Sequence, residues 1–214
     1  MVSIWRLKTL PDIDDQDRFD QAIAAINAAN ADDPFTLMVD GEVLPKEQTH
    51  AEMMTRWVRE LDPRASEELL LAARAHHIRR WMIPRSTFPA GRSAYLRWRR
   101  ALHAVHAELT AAILEDCGYP RGSVERVASL VAKADLLQSG DPDAQTLEDA
   151  LSLVFLDTQL EPLLDDLDDR QLRRALGRTW RKMSPNGQEA ALKLTLSERA
   201  VETLTRLVDG FADE

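Results

Sequence analysis

The sequence has a single cysteine, Cys117, so the chain cannot close an intramolecular disulfide. Long apolar runs are missing as well. The longest apolar piece, ALSLVFL at 150–156, falls far short of the roughly 20 residues that cross a bilayer, which predicts a protein with no membrane partner. The opening MVSIWRLKTLPDIDDQD lacks the apolar core of a secretory signal, and together with the lone cysteine this predicts a reducing cytoplasm. Glycine-rich phosphate loops, a Gly-x-Ser-x-Gly elbow and paired-cysteine zinc motifs do not occur, so the commonest nucleotide-loop, serine-hydrolase and zinc-finger chemistries have no sequence basis. Cys117 has no basic neighbour close in sequence and reads as structural. What remains is ordinary globular composition, 44% hydrophobic and 29% charged over 214 residues, enough for one domain spanning 1–214.

Acidic residues are also missing from one long stretch. The chain carries 36 Asp and Glu against 27 Lys and Arg, a net charge of −9. Yet between Leu69 and Ala107 there is no acid, while Arg74, Arg79, Arg80, Arg85, Arg92, Arg97, Arg99 and Arg100 all fall there. Those eight taken out, 19 basic residues face all 36 acids elsewhere, a net of −17. Such a focus attracts anions, and the planar guanidinium fork suits phosphate or carboxylate held in one orientation. The alternative is that acids on other helices neutralise these arginines. Overall negative charge repels a long polyanion, so a nucleic-acid partner is not expected.

Period-two, β-branched runs are absent and apolar spacing is helical nearly throughout, which predicts an all-α chain, one multi-helix bundle. A first helix spans about Asp15 to Asn30, with Phe19, Ile23 and Ile26 on one stripe, and a loop follows to about Gln48. The next carries His50, Met53, Met54, Trp57, Val58 and Leu61 at helical spacing, which puts His50 at the start of a buried face. Asp62 and Pro63 open a third helix to Trp81, ending in HHIRRW before a loop with Pro84, Pro89 and Gly91. Further helices are predicted at about Ser93–Cys117, stopped by Gly118, then Val124–Leu137, Ala144–Leu160, Asp169–Met183 and Gln188–Val208, the last two parted by a Ser-Pro-Asn-Gly turn.

All five histidines, His50, His76, His77, His103 and His106, lie between 50 and 106, and four of them fall inside the arginine stretch. Imidazoles from several helices with a carboxylate from a later one fit a transition-metal site in a bundle. A lone buried histidine is more commonly a hydrogen-bonded core residue, and His103 reads as solvated. The string WRKMS at 180–184 contains KMS, similar to a piece of the class I aminoacyl-tRNA synthetase signature loop, but no strand–helix nucleotide fold accompanies it. Trp180 and Met183 therefore read as core, and Lys182 as solvent-facing or a secondary anion contact.

The segments LAARAHHIRRWMIPRSTFP, GRSAYLRWR, KADLL, AQTLEDALSLVFL and TWRKMS, with the opening RFDQAIAAINAANADDP, resemble the domain-of-unknown-function family numbered 4202 over nearly the whole chain. More distantly, the chain is similar to the HD-domain metal-dependent phosphohydrolases. His50 precedes LAARAHH, His106 lies twelve residues before Gly118, and Asp149 sits in LEDAL, the order of the HD histidines and final aspartate. His77 stands where the aspartate of the HD pair would be, and Lys133 where many such enzymes place another histidine.

The resemblance implies an HD-like bundle with His77, His106 and Asp149 on a metal, His50 and His76 being further candidates. It implies His77, Glu148 and Asp149 as catalytic groups and Arg79, Arg80, Arg85 and Lys133 as anion holders. A divalent ion, Mn, Mg or Fe, would make water nucleophilic and offset phosphate charge. The expected activity is hydrolysis of a nucleotide or another small phosphorylated molecule, in a pocket between HHIRRW, the Pro84–Arg92 loop, the His106 helix and the Glu148–Asp149 helix. Two alternatives are carried. One is a metal-free nucleotide- or anion-binding module in which Trp81, Tyr95 or Trp98 stacks on a base; the other is a di-iron oxygenase on an HD-type fold.

Overall fold

Helices dominate the computed structural model, which describes residues 13–39, 41–134 and 139–212, with side chains through Arg206. The all-α expectation holds. The chain divides into two compact units, Met1–Ala144 and Gln145–Glu214. Among the described residues no helix is long and apolar enough to cross a membrane.

In the first unit α1 (Gln16–Asn30) starts where the Asp15 carboxylate accepts the Arg18 backbone N–H, satisfying one of the orphan donors of a helix start. It buries Phe19, Ala22, Ile26 and Asn30. The expected loop after it contains an antiparallel hairpin instead, β1 (Thr36–Val39) with β2 (Glu42–Pro45), in which Leu37 faces Leu44 and Met38 faces Val43. Gly41 takes φ +85°, the left-handed conformation a tight hairpin turn needs. This corrects the strand-free reading without changing the fold class. Helix α2 (Lys46–Leu61) follows at once and buries His50, Ala51, Met54, Thr55 and Val58.

Helix α3 is shorter than expected at both ends, spanning Glu67–Ala75 with Ser66, not Asp62, as its cap. Its end is set by a distant contact. The buried Asn30 side chain accepts the Arg79 backbone N–H at 2.9 Å, and Arg79 Nε donates to the Ala29 carbonyl, holding Arg79 at φ +49°. A non-glycine residue in that region is uncommon and breaks the helix. HHIRRW is therefore a turn leading into a single 3₁₀ turn, Arg80–Met82, and a second follows at Arg85–Thr87. Helix α4 (Arg92–Asp116) buries Ala94, Trp98, Leu102, His106, Thr110 and Leu114 along one stripe and ends at Gly118, φ +77°, as expected. It packs along α5 (Arg121–Ala132), which stops at Lys133 in the left-handed conformation; the predicted continuation to Leu137 lies outside the described residues. Helix α3 packs against α1, α2 and α5.

The second unit holds most of α6 (Pro142–Asp166), with α7 (Asp169–Trp180), α8 (Pro185–Ala191) and α9 (Glu198–Ala212). Helix α7 opens on a reciprocal capping box between Asp168 and Gln171. Pro185 begins α8 under a Ser184 cap, so the Ser-Pro-Asn-Gly segment starts a helix, and the single last helix expected from the sequence is two.

Candidate metal centre

The start of α2 is arranged by Asp33. One of its carboxylate oxygens accepts the Phe35 N–H at 2.9 Å, the other the Glu47 N–H at 2.7 Å. Pro45, at the helix N-cap, provides no capping side chain, so Asp33 does that work from fourteen residues away and fixes the first turn carrying Glu47. One helical turn further, His50 lies on the same face. The turn after α3 brings His77 to meet them. Its Nδ1 lies 3.3 Å from Glu47 Oε2, His50 Nδ1 is 3.8 Å from the same oxygen, and one possible ligand atom from each of the three residues falls within 4.8 Å of the others.

This cluster is buried at Glu47 and His50, while His77 keeps 25% of its side chain exposed, which leaves one side reachable. Burial by itself would raise the Glu47 carboxyl, but the two adjacent imidazoles outweigh it and hold the group well below the ordinary carboxylate range. His77 is pushed down by burial, with Arg80 and Lys133 adding to that and Glu47 opposing it. An ionised Glu47 carboxylate and a His77 pushed toward its neutral form are the protonation states a metal requires of such ligands. Glu47 Oε2 lies beside the Nδ1 atoms of both imidazoles but meets neither in hydrogen-bond geometry, and His50 Nε2 has no hydrogen-bond partner among the described residues. Buried polar atoms are seldom left so, and a divalent ion accepted by Glu47, His50 and His77 would account for the carboxylate oxygen. Two imidazoles and a carboxylate suit Mn, Fe or Zn better than Mg, which prefers an all-oxygen shell.

Around this core stand further imidazoles. The His76 ring centre is 4.5 Å from that of His77, and the His106 ring is 6.0 Å from His77 on the other element, α4. Both are buried, with neither ring nitrogen partnered among the described residues. Burial and the neighbouring His77 lower His106 to about 3, and burial with the charges of Arg99 and Lys133 lowers His103 to about 4. Arg80 Nε lies 4.0 Å from Glu47 Oε1, its guanidinium 5.2 Å above the Trp98 ring.

Three other arginines of the acid-free stretch are engaged by acids and carbonyls. Arg74 pairs with Glu52 at 3.7 Å and reaches Asn27; Arg79 is tied to α1; Arg85 donates to the carbonyls of Phe88 and Pro89 and so closes its own loop. Trp98, offered as a stacking platform, is buried with Nε1 donating to the Ile83 carbonyl. Tyr95 is 42% exposed.

In the second unit, Asp149 accepts from Gln145 Nε2 at 2.9 Å, from the Ser184 N–H at 2.8 Å and from Ser184 Oγ at 2.5 Å. Gly187 approaches so closely that a Cβ there would lie 2.6 Å from Asp149 Cγ. Asp149 thus secures the start of α8. Glu148 pairs with Lys182 at 3.0 Å, and Met183 is core as expected. Of the sequence candidates, the first unit brings His50, His76, His77 and His106 together with Arg80, and Glu148 and Asp149 belong to the second.

The model of the family described as Domain of unknown function (DUF4202) matches residues 20–204, which covers both units almost entirely. The chain belongs to this family. No curated protein and no solved structure matches the chain. Within this DUF4202 chain the residue that sequence reasoning missed is Glu47, one acid among 36. The available signal was its spacing: Glu47 and His50 form the Glu-x-x-His pair that places both side chains on one helix face, as in carboxylate-bridged metal bundles.

Proposed function

We propose that the first unit is a metal-dependent phosphohydrolase centre, akin to the HD-type helical enzymes, acting on a small phosphorylated molecule. The convergence of Glu47, His50 and His77 carries the reading. A divalent ion there would supply Lewis acidity, making water nucleophilic near neutral pH and offsetting charge on phosphate oxygens. The chain's own residues do the rest. Arg80 lies beside the cluster and provides a guanidinium fork for the non-bridging oxygens. Lys133, whose charge bears on His76, His77 and His103, adds a second cation. Water adds to phosphorus, the ester P–O bond breaks, and the departing oxygen takes up a proton, leaving an alcohol and inorganic phosphate.

The metal-free binding module remains as a second reading because Arg80 and Trp98 already form a cation–aromatic pair without any ion. A di-iron site finds less support, since Glu47, His50 and His77 are the one such group among the described residues. Protein purified without chelator and analysed for metal separates the readings. Stoichiometric Mn, Fe or Zn that is lost in His77→Ala, with phosphate released from monoesters when that metal is present, supports the hydrolase. Metal-free protein that releases no phosphate under any of these ions overturns it.

A further inference from the structure

Tyr95 is an unusual neighbour for a phosphate site. It sits in the first turn of α4, its backbone N–H bonded to the Gly91 carbonyl, so its position is fixed by the helix start. The residue is 42% exposed, yet its ring lies 5.7 Å from the Trp98 ring, which is itself anchored by a hydrogen bond to Ile83 and covered by Arg80 at 5.2 Å and Arg85 at 6.0 Å. A continuous line of contacts therefore runs from Glu47 to Arg80 at 4.0 Å, from Arg80 to Trp98, and from Trp98 to Tyr95. One end is the metal cluster. The other is an exposed tyrosine in a sequence stretch that holds eight arginines and no acid.

We infer that Tyr95 is the base-stacking end of a nucleotide subsite whose phosphate end is Arg80 and the Glu47–His50–His77 cluster. Every nucleobase has a flat face that stacks on an aromatic ring or a guanidinium plane, and the gain does not depend on base-edge hydrogen bonds. A phosphorylated sugar or aliphatic ester has no aromatic ring to stack on Tyr95 and gains less there. The substrate class is thus a nucleoside phosphate rather than phosphoesters in general. Trp98, buried beneath the two guanidinium groups, stiffens the platform and does not itself offer a free face.

The inference rests on the hydrolase reading for its phosphate end, and the test keeps the two apart. Metal-supplemented full-length protein is titrated calorimetrically with adenosine 5′-monophosphate and with ribose 5-phosphate, which differ by the base alone. The expected result is binding of the nucleotide about tenfold tighter, a ratio within the range one stacked base gives. Tyr95→Ala should bring that ratio close to one, and Tyr95→Phe should restore it. Equal affinity for the two ligands, a ratio unchanged in Tyr95→Ala, or no binding of either overturns the subsite. Protein that holds metal and releases phosphate from ribose 5-phosphate while showing no preference for the nucleotide sinks this inference alone; protein without metal or phosphatase activity that still shows the Tyr95-dependent preference sinks the hydrolase reading and keeps the subsite.

Discussion

Replacing Glu47 by Gln keeps the side chain's shape and removes its charge, so it isolates what the carboxylate does. Glu47 is buried, and its place at the start of α2 is set through its backbone N–H by Asp33, which the substitution leaves in place. Loss of a partner that merely orients a ligand weakens metal binding 10- to 100-fold, so loss of the ligand's own charge should cost at least about 100-fold. A metal at 100 times its Kd stabilises the folded state by about 2.7 kcal/mol. At about 2–4 °C per kcal/mol for a chain of this size, the melting temperature should rise by about 5–11 °C on adding Mn, Fe or Zn. At the same concentration a variant binding 100-fold more weakly gains only about 0.4 kcal/mol, roughly 1–2 °C. Differential scanning calorimetry with and without metal measures both shifts, each referred to its own metal-free protein, so any change in basal stability drops out. Glu189→Gln serves as control, because Glu189 is an exposed partner of Lys193 on α8 and should leave the full shift intact. A Glu47→Gln protein that retains the wild-type shift refutes the assignment, as does a wild type that no transition metal stabilises.

Other perturbations follow from the same geometry. Asp33→Ala removes the acceptor for the Phe35 and Glu47 N–H groups and should cost about 1 kcal/mol by chemical denaturation while also weakening metal retention, since Glu47 loses its anchor. Gly187→Ala places a Cβ 2.6 Å from Asp149 Cγ and should lower the urea midpoint by an amount equivalent to about 1–3 kcal/mol, with no loss of bound metal. Metal-free protein should lose stability as pH falls below 6.5: His106, lowered by burial to about 3, stays neutral when folded while the unfolded chain takes up a proton, which by pH 4.5 amounts to about 3 kcal/mol. His106→Leu should flatten the profile of melting temperature against pH over that window, and an unchanged slope would show that other groups set it.

The helices that the sequence marks most clearly are those closed by local signals. Asp15 and Gly118 lie at the ends of α1 and α4, and both boundaries fall within a residue or two of expectation. Where the deciding contact is distant, local reading fails. HHIRRW has helical spacing, and only the Asn30 side chain, 49 residues away in sequence, catches Arg79 and turns the chain. The hairpin was missed because its strands are four residues each and carry no sustained alternation, although Asp40-Gly41 between TLMV and EVLP is a hairpin dipeptide. The imidazoles of the site were legible as a type clustered in one stretch. Glu47 was not, because a carboxylate becomes informative only once folding has removed it from water and left it among cations. Asp149 stood out in sequence as a late acid, and its carboxylate proves to be engaged by Gln145 and Ser184.

The charge balance around Glu47 has a further consequence for how ligands arrive. Among the described residues Glu47 is the acid paired with His50, His77 and Arg80, and the Lys133 charge also bears on His77. Burial pushes His76, His77 and His106 toward the neutral form, so the Glu47 carboxylate and the Arg80 guanidinium largely offset each other before anything binds. A divalent ion makes the cluster positive, and Arg80, whose attraction to Glu47 weakens once the carboxylate is engaged, then has no other ion-paired acid among the described residues. A phosphate dianion reverses both penalties by neutralising the excess charge and occupying Arg80. Metal and phosphate should therefore bind cooperatively, each tightening the other by the same factor, because a coupling free energy between two sites is reciprocal. Titrating Mn into protein with and without inorganic phosphate, and phosphate with and without Mn, measures the factor twice. Equal factors above one support the shared site. Independent binding would mean that Arg80 and the carboxylate cluster serve different ligands, and the electrostatic argument for placing phosphate beside Glu47 would fail.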